Sequence, residues 1–201
     1  MLGEGIPAAL IEHAALAAGM PVGPLAVMDE TSLSLSVHVM EQTRSDFAAE
    51  GKTYVTSAGE NMVERMVHEF KRSGRAAGAG FYDYPSSGPK RLWSGLKPHF
   101  EKPLTDDPQA LQLRIKQRLL YRQAVETARC LQENVLTSAH DANIGSMFGI
   151  GFPAWTGGAL QFVFSEGLDN FVNNCRQLAQ QHGQGFELSP AMMDCLKKHQ
   201  P

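Results

Sequence analysis

The chain has 201 residues, 43% of them hydrophobic and 19% charged, with 18 basic against 21 acidic side chains for a formal net charge of -3. That is the composition of a folded globular chain, long enough for one domain or two small ones. A sequence pI near 6.2 without a dense Lys/Arg block argues against a nucleic-acid or anionic-membrane surface.

No stretch approaches the roughly 18 apolar residues of a membrane span, and Met1 to Ala18 lacks the basic start of a signal peptide, so the chain is expected in the cytoplasm. Cys130, Cys175 and Cys195 are an odd number with no CxxC spacing, which predicts reduced thiols rather than a disulfide or a metal site.

Met1 to Ile6 has no cap or strand signal ahead of it and reads as the tail of an element. Pro7 then opens a short helix with Leu10, Ile11, Ala14, Ala15 and Ala18 as its apolar stripe, closed by Gly19. Gly19 to Pro24 is a turn with two rigid prolines. Leu25, Met28, Leu33, Leu35, Val37, Val39 and Met40 predict a second helix to about Phe47, weakened where hydroxyls crowd Thr31 to Ser36. Residues 48–57 are polar and aperiodic. Met62, Val63, Met66, Val67 and Phe70 resume the helical stripe, which Lys71, Arg72 and Gly74 end. The three aromatics of Gly80-Phe81-Tyr82-Asp83-Tyr84 predict a packed hairpin or loop.

Residues 86–108 carry Pro89, Pro98, Pro103 and Pro108 with little periodicity and read as a connector. Residues 109–133 form the longest predicted helix, with Leu111, Ile115, Leu119, Leu120, Ala124, Val125, Ala128 and Leu131 on one face. Ser138 precedes another helix, broken at Gly149-Ile150-Gly151-Phe152-Pro153. Further helices start near Gly158 and Gly167, and Ser189-Pro190 is an N-cap with proline at the first helical position. Almost nothing alternates with period two, so the fold is expected to be all-α.

Glu4-Gly5-Ile6 and Glu133-Asn134-Val135 set the two halves in parallel: short helix, glycine-proline turn, second helix. The expectation is a diverged duplication, with residues 1–85 as a first repeat, 86–108 as connector and 109–201 as a second repeat. The second repeat places a long helix before Glu133, whereas only three residues stand before Glu4. The first repeat is therefore expected to lack its N-terminal helix and to expose an apolar groove, filled by another copy's segment or left as a hydrophobic patch.

These residues resemble the C-terminal region of L-3-hydroxyacyl-CoA dehydrogenases. The resemblance rests on Glu4-Gly5-Ile6-Pro7, Gly19-Met20-Pro21-Val22-Gly23-Pro24 with Asp29, and Gly80-Phe81-Tyr82-Asp83-Tyr84. It continues in Asp141-Ala142-Asn143, Phe148-Gly149-Ile150-Gly151-Phe152-Pro153 and Gly157-Gly158. The similarity is greatest to the multifunctional fatty-acid oxidation enzymes, in which this helical domain, shared in kind with 6-phosphogluconate dehydrogenase, occurs twice. It implies oxidation of 3-hydroxyacyl-CoA by NAD in the parent enzyme, with the nucleotide on a preceding Rossmann domain and a His-Glu pair taking the hydroxyl proton. Neither is expected in this chain, which is expected to bind no cofactor and no metal and to be inactive alone. The family's Asn, from an Asn-Arg pair on the first helix, is not matched here either.

The resemblance makes this region one wall of the acyl-CoA cleft and the surface on which the Rossmann domain closes. Bacterial relatives usually have tyrosine where Phe148 stands. The phenyl ring without a hydroxyl leaves a cleft contact and a core position as alternatives. Gly19, Pro21, Gly23, Pro24, Gly151, Pro153, Gly157 and Gly158 read as turn geometry, since proline fixes φ and glycine permits close approach. Asp29 reads as a cap or as the acceptor of a neighbouring backbone N–H. In single-repeat relatives the domain dimerises, so the second repeat is expected to stand in for a partner. The other reading of the whole chain is a free-standing, non-catalytic acyl-CoA-binding or assembly module.

Overall fold

Every segment with a helical apolar stripe is helical in the computed structural model, which describes residues 1–200. Among the described residues the regular strands are two antiparallel pieces of two residues each, so the fold is all-α. The chain divides into two compact units: Met1–Ala14 with Val22–Gln112, and Ala15–Pro21 with the chain from Leu113 onward.

The first unit holds most of α1 (Ala8–Ala18), then α2 (Pro24–Thr31), α3 (Leu33–Ala49), α4 (Ala58–His68), β1 (Tyr82–Asp83), β2 (Arg91–Leu92) and α5 (Leu96–Phe100). Its core gathers Ile11, Leu25, Leu33, Val37, Met66, Phe81 and Leu96. The sequence predicts one helix from Leu25 to Phe47, but the chain breaks at Ser32, whose φ of 75° is left-handed. There the Leu33 N–H donates to the Ser73 carbonyl at 2.9 Å. The Ser32 hydroxyl lies 2.7 Å from that of Ser34, the competition with helical bonding that short hydroxyl side chains offer.

The segment read as a connector also contributes to packing. Leu96 is buried in the first core, Phe70 meets Trp93 and His99 at ring-centroid distances of 5.0 and 4.6 Å, and the Glu101 carboxylate accepts from the Ala8 N–H at 3.0 Å. That last bond satisfies one orphan donor of the first turn of α1 with a side chain from far along the chain.

The second unit contains most of α6 (Pro108–Gln132), then α7 (Ala139–Gly149), α8 (Ala159–Ser165), α9 (Leu168–His182) and α10 (Pro190–Lys198). Tyr121, Ala124, Val125, Ala128 and Leu131 of α6 are buried with Phe152, Leu160, Phe171, Cys175 and Leu196. Tyr121 stacks on Phe171 at 4.8 Å, and its hydroxyl donates to Glu166 at 2.7 Å while accepting from Asn174 at 2.8 Å. A buried phenol is thus fully partnered. Ser138 and Ser189 cap α7 and α10, their hydroxyls accepting from the Asp141 and Met192 N–H groups.

Gly5 and Asn134 both adopt left-handed φ, 105° and 60°. Around them the Ile6 N–H donates to the Met1 carbonyl at 3.3 Å and the Val135 N–H to the Cys130 carbonyl at 2.9 Å, each the long bond of a Schellman closure. No described helix is long and apolar enough to cross a membrane.

Candidate functional site

In the first unit the glycine-proline turn delivers Pro24 to the first position of α2, where its missing N–H costs nothing. The Glu12 side chain reaches from α1 to the same helix start. One carboxylate oxygen accepts from the Leu25 N–H at 2.7 Å and the other from the Tyr82 hydroxyl at 2.5 Å. A Cβ on Gly23 would fall onto that carboxylate, so glycine is required there by space. The sequence reading missed Glu12, a carboxylate set among the apolar residues of α1. Its signal was that position, beside Ile11 and Ala15, which are both buried.

Asp29, only 1% exposed, does for the aromatic loop what Glu12 does for the turn. It accepts from the Phe81 and Tyr82 N–H groups at 2.8 and 2.9 Å and from the Tyr84 hydroxyl at 2.9 Å. A Cβ on Gly80 would meet its carboxyl group. Burial, then the bond to Glu12, pushes the Tyr82 phenol well above its usual range; burial and Asp29 do the same to Tyr84. Both phenols stay protonated as donors, and both carboxylates are spent on accepting, so this network locks a loop and offers no free base.

The second unit brings Gly19, Pro21, Gly151, Pro153, Gly157 and Gly158 together. Gly19, Gly151, Gly157 and Gly158 all have positive φ. A Cβ on Gly151 would come within 2.9 Å of Pro21, and one on Gly158 within 2.5 Å of Asn143. Trp155 is 70% exposed, yet its indole N–H donates to the Ala18 carbonyl at 2.7 Å, closing the last turn of α1. At the start of α8 the Asn143 amide oxygen accepts from the Gln161 N–H at 2.8 Å and the Ser146 hydroxyl from the Ala159 N–H at 2.9 Å. The Thr156 hydroxyl accepts from the Gly158 N–H at 3.1 Å.

Phe148 is not in either core. It is 84% exposed on the last turn of α7, so the core alternative for this ring is set aside.

These contacts bear on nucleotide binding. A dinucleotide diphosphate needs a strand-to-helix turn with open backbone N–H groups. Here the N–H groups at the starts of α2 and α8 are taken by Glu12, Asn143 and Ser146, and the described strands are a short antiparallel pair. The described residues do not fit NAD.

A cysteine nucleophile fares no better. Burial pushes the Cys175 thiol up to about 12, and such a thiol is inert at neutral pH. His199 Nδ1 lies 3.8 Å from Cys195 Sγ but 2.9 Å from the Cys195 carbonyl, which only accepts. That nitrogen therefore carries the proton and takes none from the thiol. Among the described residues no group of three or more His, Cys, Asp or Glu side chains is placed to hold a metal ion.

Residues 1–84, the stretch that contains Glu12, Asp29 and the locked aromatic loop, match the model of the 3-hydroxyacyl-CoA dehydrogenase C-terminal domain. The chain carries a 3-hydroxyacyl-CoA dehydrogenase C-terminal region. It is 30% identical over 179 residues to the fatty acid oxidation complex subunit alpha of Vibrio vulnificus, a match covering 88% of the chain and 24% of that protein. With the subunit of the same name from Shewanella sp. strain ANA-3 the identity is 27% over 203 residues, covering 96% of the chain and 26% of the relative. The chain thus spans about a quarter of the length of the curated relatives it matches.

Among solved structures, the dehydrogenase part of multifunctional enzyme 1 from C. elegans superposes with a TM-score of 0.52 at 17% identity, covering 96% of this chain and 42% of that one. At that identity the likeness establishes the fold of the dehydrogenase C-terminal region and nothing further.

Proposed function

We propose that this chain serves as the helical substrate-cleft and docking part of an NAD-dependent 3-hydroxyacyl-CoA dehydrogenase in fatty-acid β-oxidation, in the cytoplasm. The Rossmann domain and the His-Glu proton acceptor come from polypeptide outside these residues. The observation that carries this reading is that the polar groups of the matched region are consumed in fixing its turns. Glu12, Asp29, Asn143 and Ser146 each hold a loop or a helix start, which is what a rigid wall against a closing domain requires. Phe148, solvent-facing on α7, is the ring we assign to contact with acyl-CoA in the assembled enzyme.

On this reading the two units are diverged copies of one helical repeat, bounded near residues 85 and 109. The face that α6 covers in the second copy is, in the first, an open apolar cavity of about 400 Å³ lined by Leu2, Ile11, Met28, Met40, Met62 and Val63. Self-association through that groove follows from the hydrophobic surface it leaves in water.

The test is NADH formation from a 3-hydroxyacyl-CoA. The chain alone is expected to give none, and turnover is expected once it is joined to the nucleotide domain of a relative. Turnover by the chain alone would refute the division of labour.

A further inference from the structure

In the second unit, α6 and α7 leave between them a trough of about 520 Å³ that the dehydrogenase reading does not use. Its walls include Thr127 and Cys130 of α6, Val135 and Leu136 of the connecting loop, and Ala142 and Gly145 of α7. The volume lies within the roughly 300–1,000 Å³ of small-molecule sites, and an apolar trough of this kind takes an aliphatic chain rather than a polar ring.

The rim has a definite sign. Helix α6 carries Arg114, Lys116, Arg118, Arg122 and Arg129 against the single carboxylate of Glu126, on a chain whose formal net charge is -3. Arg122 and Glu126 line the trough themselves. The Glu126 carboxylate is shared by Arg122 and Arg129, each at 2.9 Å, so the trough's edge keeps an excess of positive charge. Arg114, Arg118 and Arg122 follow at four-residue intervals along one ridge, a span of about 12 Å at 1.5 Å per residue. Cations spread over that length match a head group with several anionic oxygens, not a single carboxylate.

We propose that the α6–α7 trough is a second binding site for an acyl-CoA thioester, its alkyl tail in the trough and its phosphates along the arginine ridge. The proposal takes from the proposed function only the identity of the substrate class; the site lies in the second unit and needs no dehydrogenase step.

Gly145 gives a clean probe. A Cβ there meets nothing within 4 Å, so Gly145→Phe fills the trough while replacing a helix-interior glycine by a better helix former. Titration calorimetry on the full chain with octanoyl-CoA, butyryl-CoA, CoA and octanoate reads out both halves of the ligand. We expect octanoyl-CoA to bind more tightly than butyryl-CoA by up to about fourfold per added methylene, the equivalent of ~0.8 kcal/mol each. Gly145→Phe should weaken octanoyl-CoA at least tenfold, and Arg122→Glu should weaken octanoyl-CoA and CoA alike, with octanoate bound weakly by all three proteins. Circular dichroism checks that each variant is folded. Equal affinity for octanoyl-CoA and CoA, or octanoyl-CoA binding unchanged in folded Gly145→Phe, would overturn the proposal. Octanoate bound as tightly as octanoyl-CoA would overturn the head-group half. None of these results touches NADH formation, so the site and the dehydrogenase reading fail separately.

Discussion

Asp29 concentrates more structural consequence than any other polar side chain in the first unit. Three donors converge on one buried carboxylate, and the loop they hold places Phe81 in the core. Asp29→Asn keeps the shape but replaces one acceptor oxygen by an amide that confronts donors with donors. Because hydrogen bonds to a charged group contribute about 1.5–3 kcal/mol, we expect urea unfolding to show a loss of about 2–3 kcal/mol with an unchanged slope. A variant as stable as the parent would mean that the loop does not depend on this anchor. The Asp29 side chain was legible in the sequence as an acceptor of backbone N–H groups. Glu12 was not, because the sequence showed its chain neighbour His13 but not Tyr82, seventy positions away, whose hydroxyl it accepts.

Helix identities were readable because most ends carry their own chemistry. Ser138 and Ser189 cap as their spacing predicts, and Gly19 closes α1. The break at Ser32 and the short helix α5 were not readable. Each depends on a distant partner: the Ser73 carbonyl for the Leu33 N–H, and the first core for Leu96. Helix α4 offers the test at this scale. Ser57 and Glu60 form a reciprocal capping box. Burial raises the Glu60 carboxyl, but the Ser57 N–H, the Tyr54 hydroxyl and Arg44 outweigh it and hold the group below its usual range. A carboxyl depressed on folding stabilises above its unfolded pKa, and that contribution is lost as pH falls through its folded value. We therefore expect Ser57→Ala to cost about 1 kcal/mol at neutral pH and less in acid, measured by denaturant unfolding at both. A cost that grows on acidification would contradict the box.

For the whole molecule, the cavity bounded by Met28, Met40 and Met62 leaves flexible apolar side chains in contact with water. Sedimentation equilibrium is expected to show reversible association, weakened in Met40→Glu, which puts charge on the groove. A monomer at all concentrations would remove self-association from the account.

The central claim is that these residues supply the cleft wall while another segment supplies nucleotide and base. It is tested most directly by exchanging the matched segment of the Vibrio vulnificus subunit for this chain and measuring NADH formation from 3-hydroxydecanoyl-CoA, beside a variant with the segment deleted. We expect the exchanged protein to turn over within about tenfold of the parent and the deletion to be inactive. An exchanged protein that folds but is as inactive as the deletion would contradict the claim.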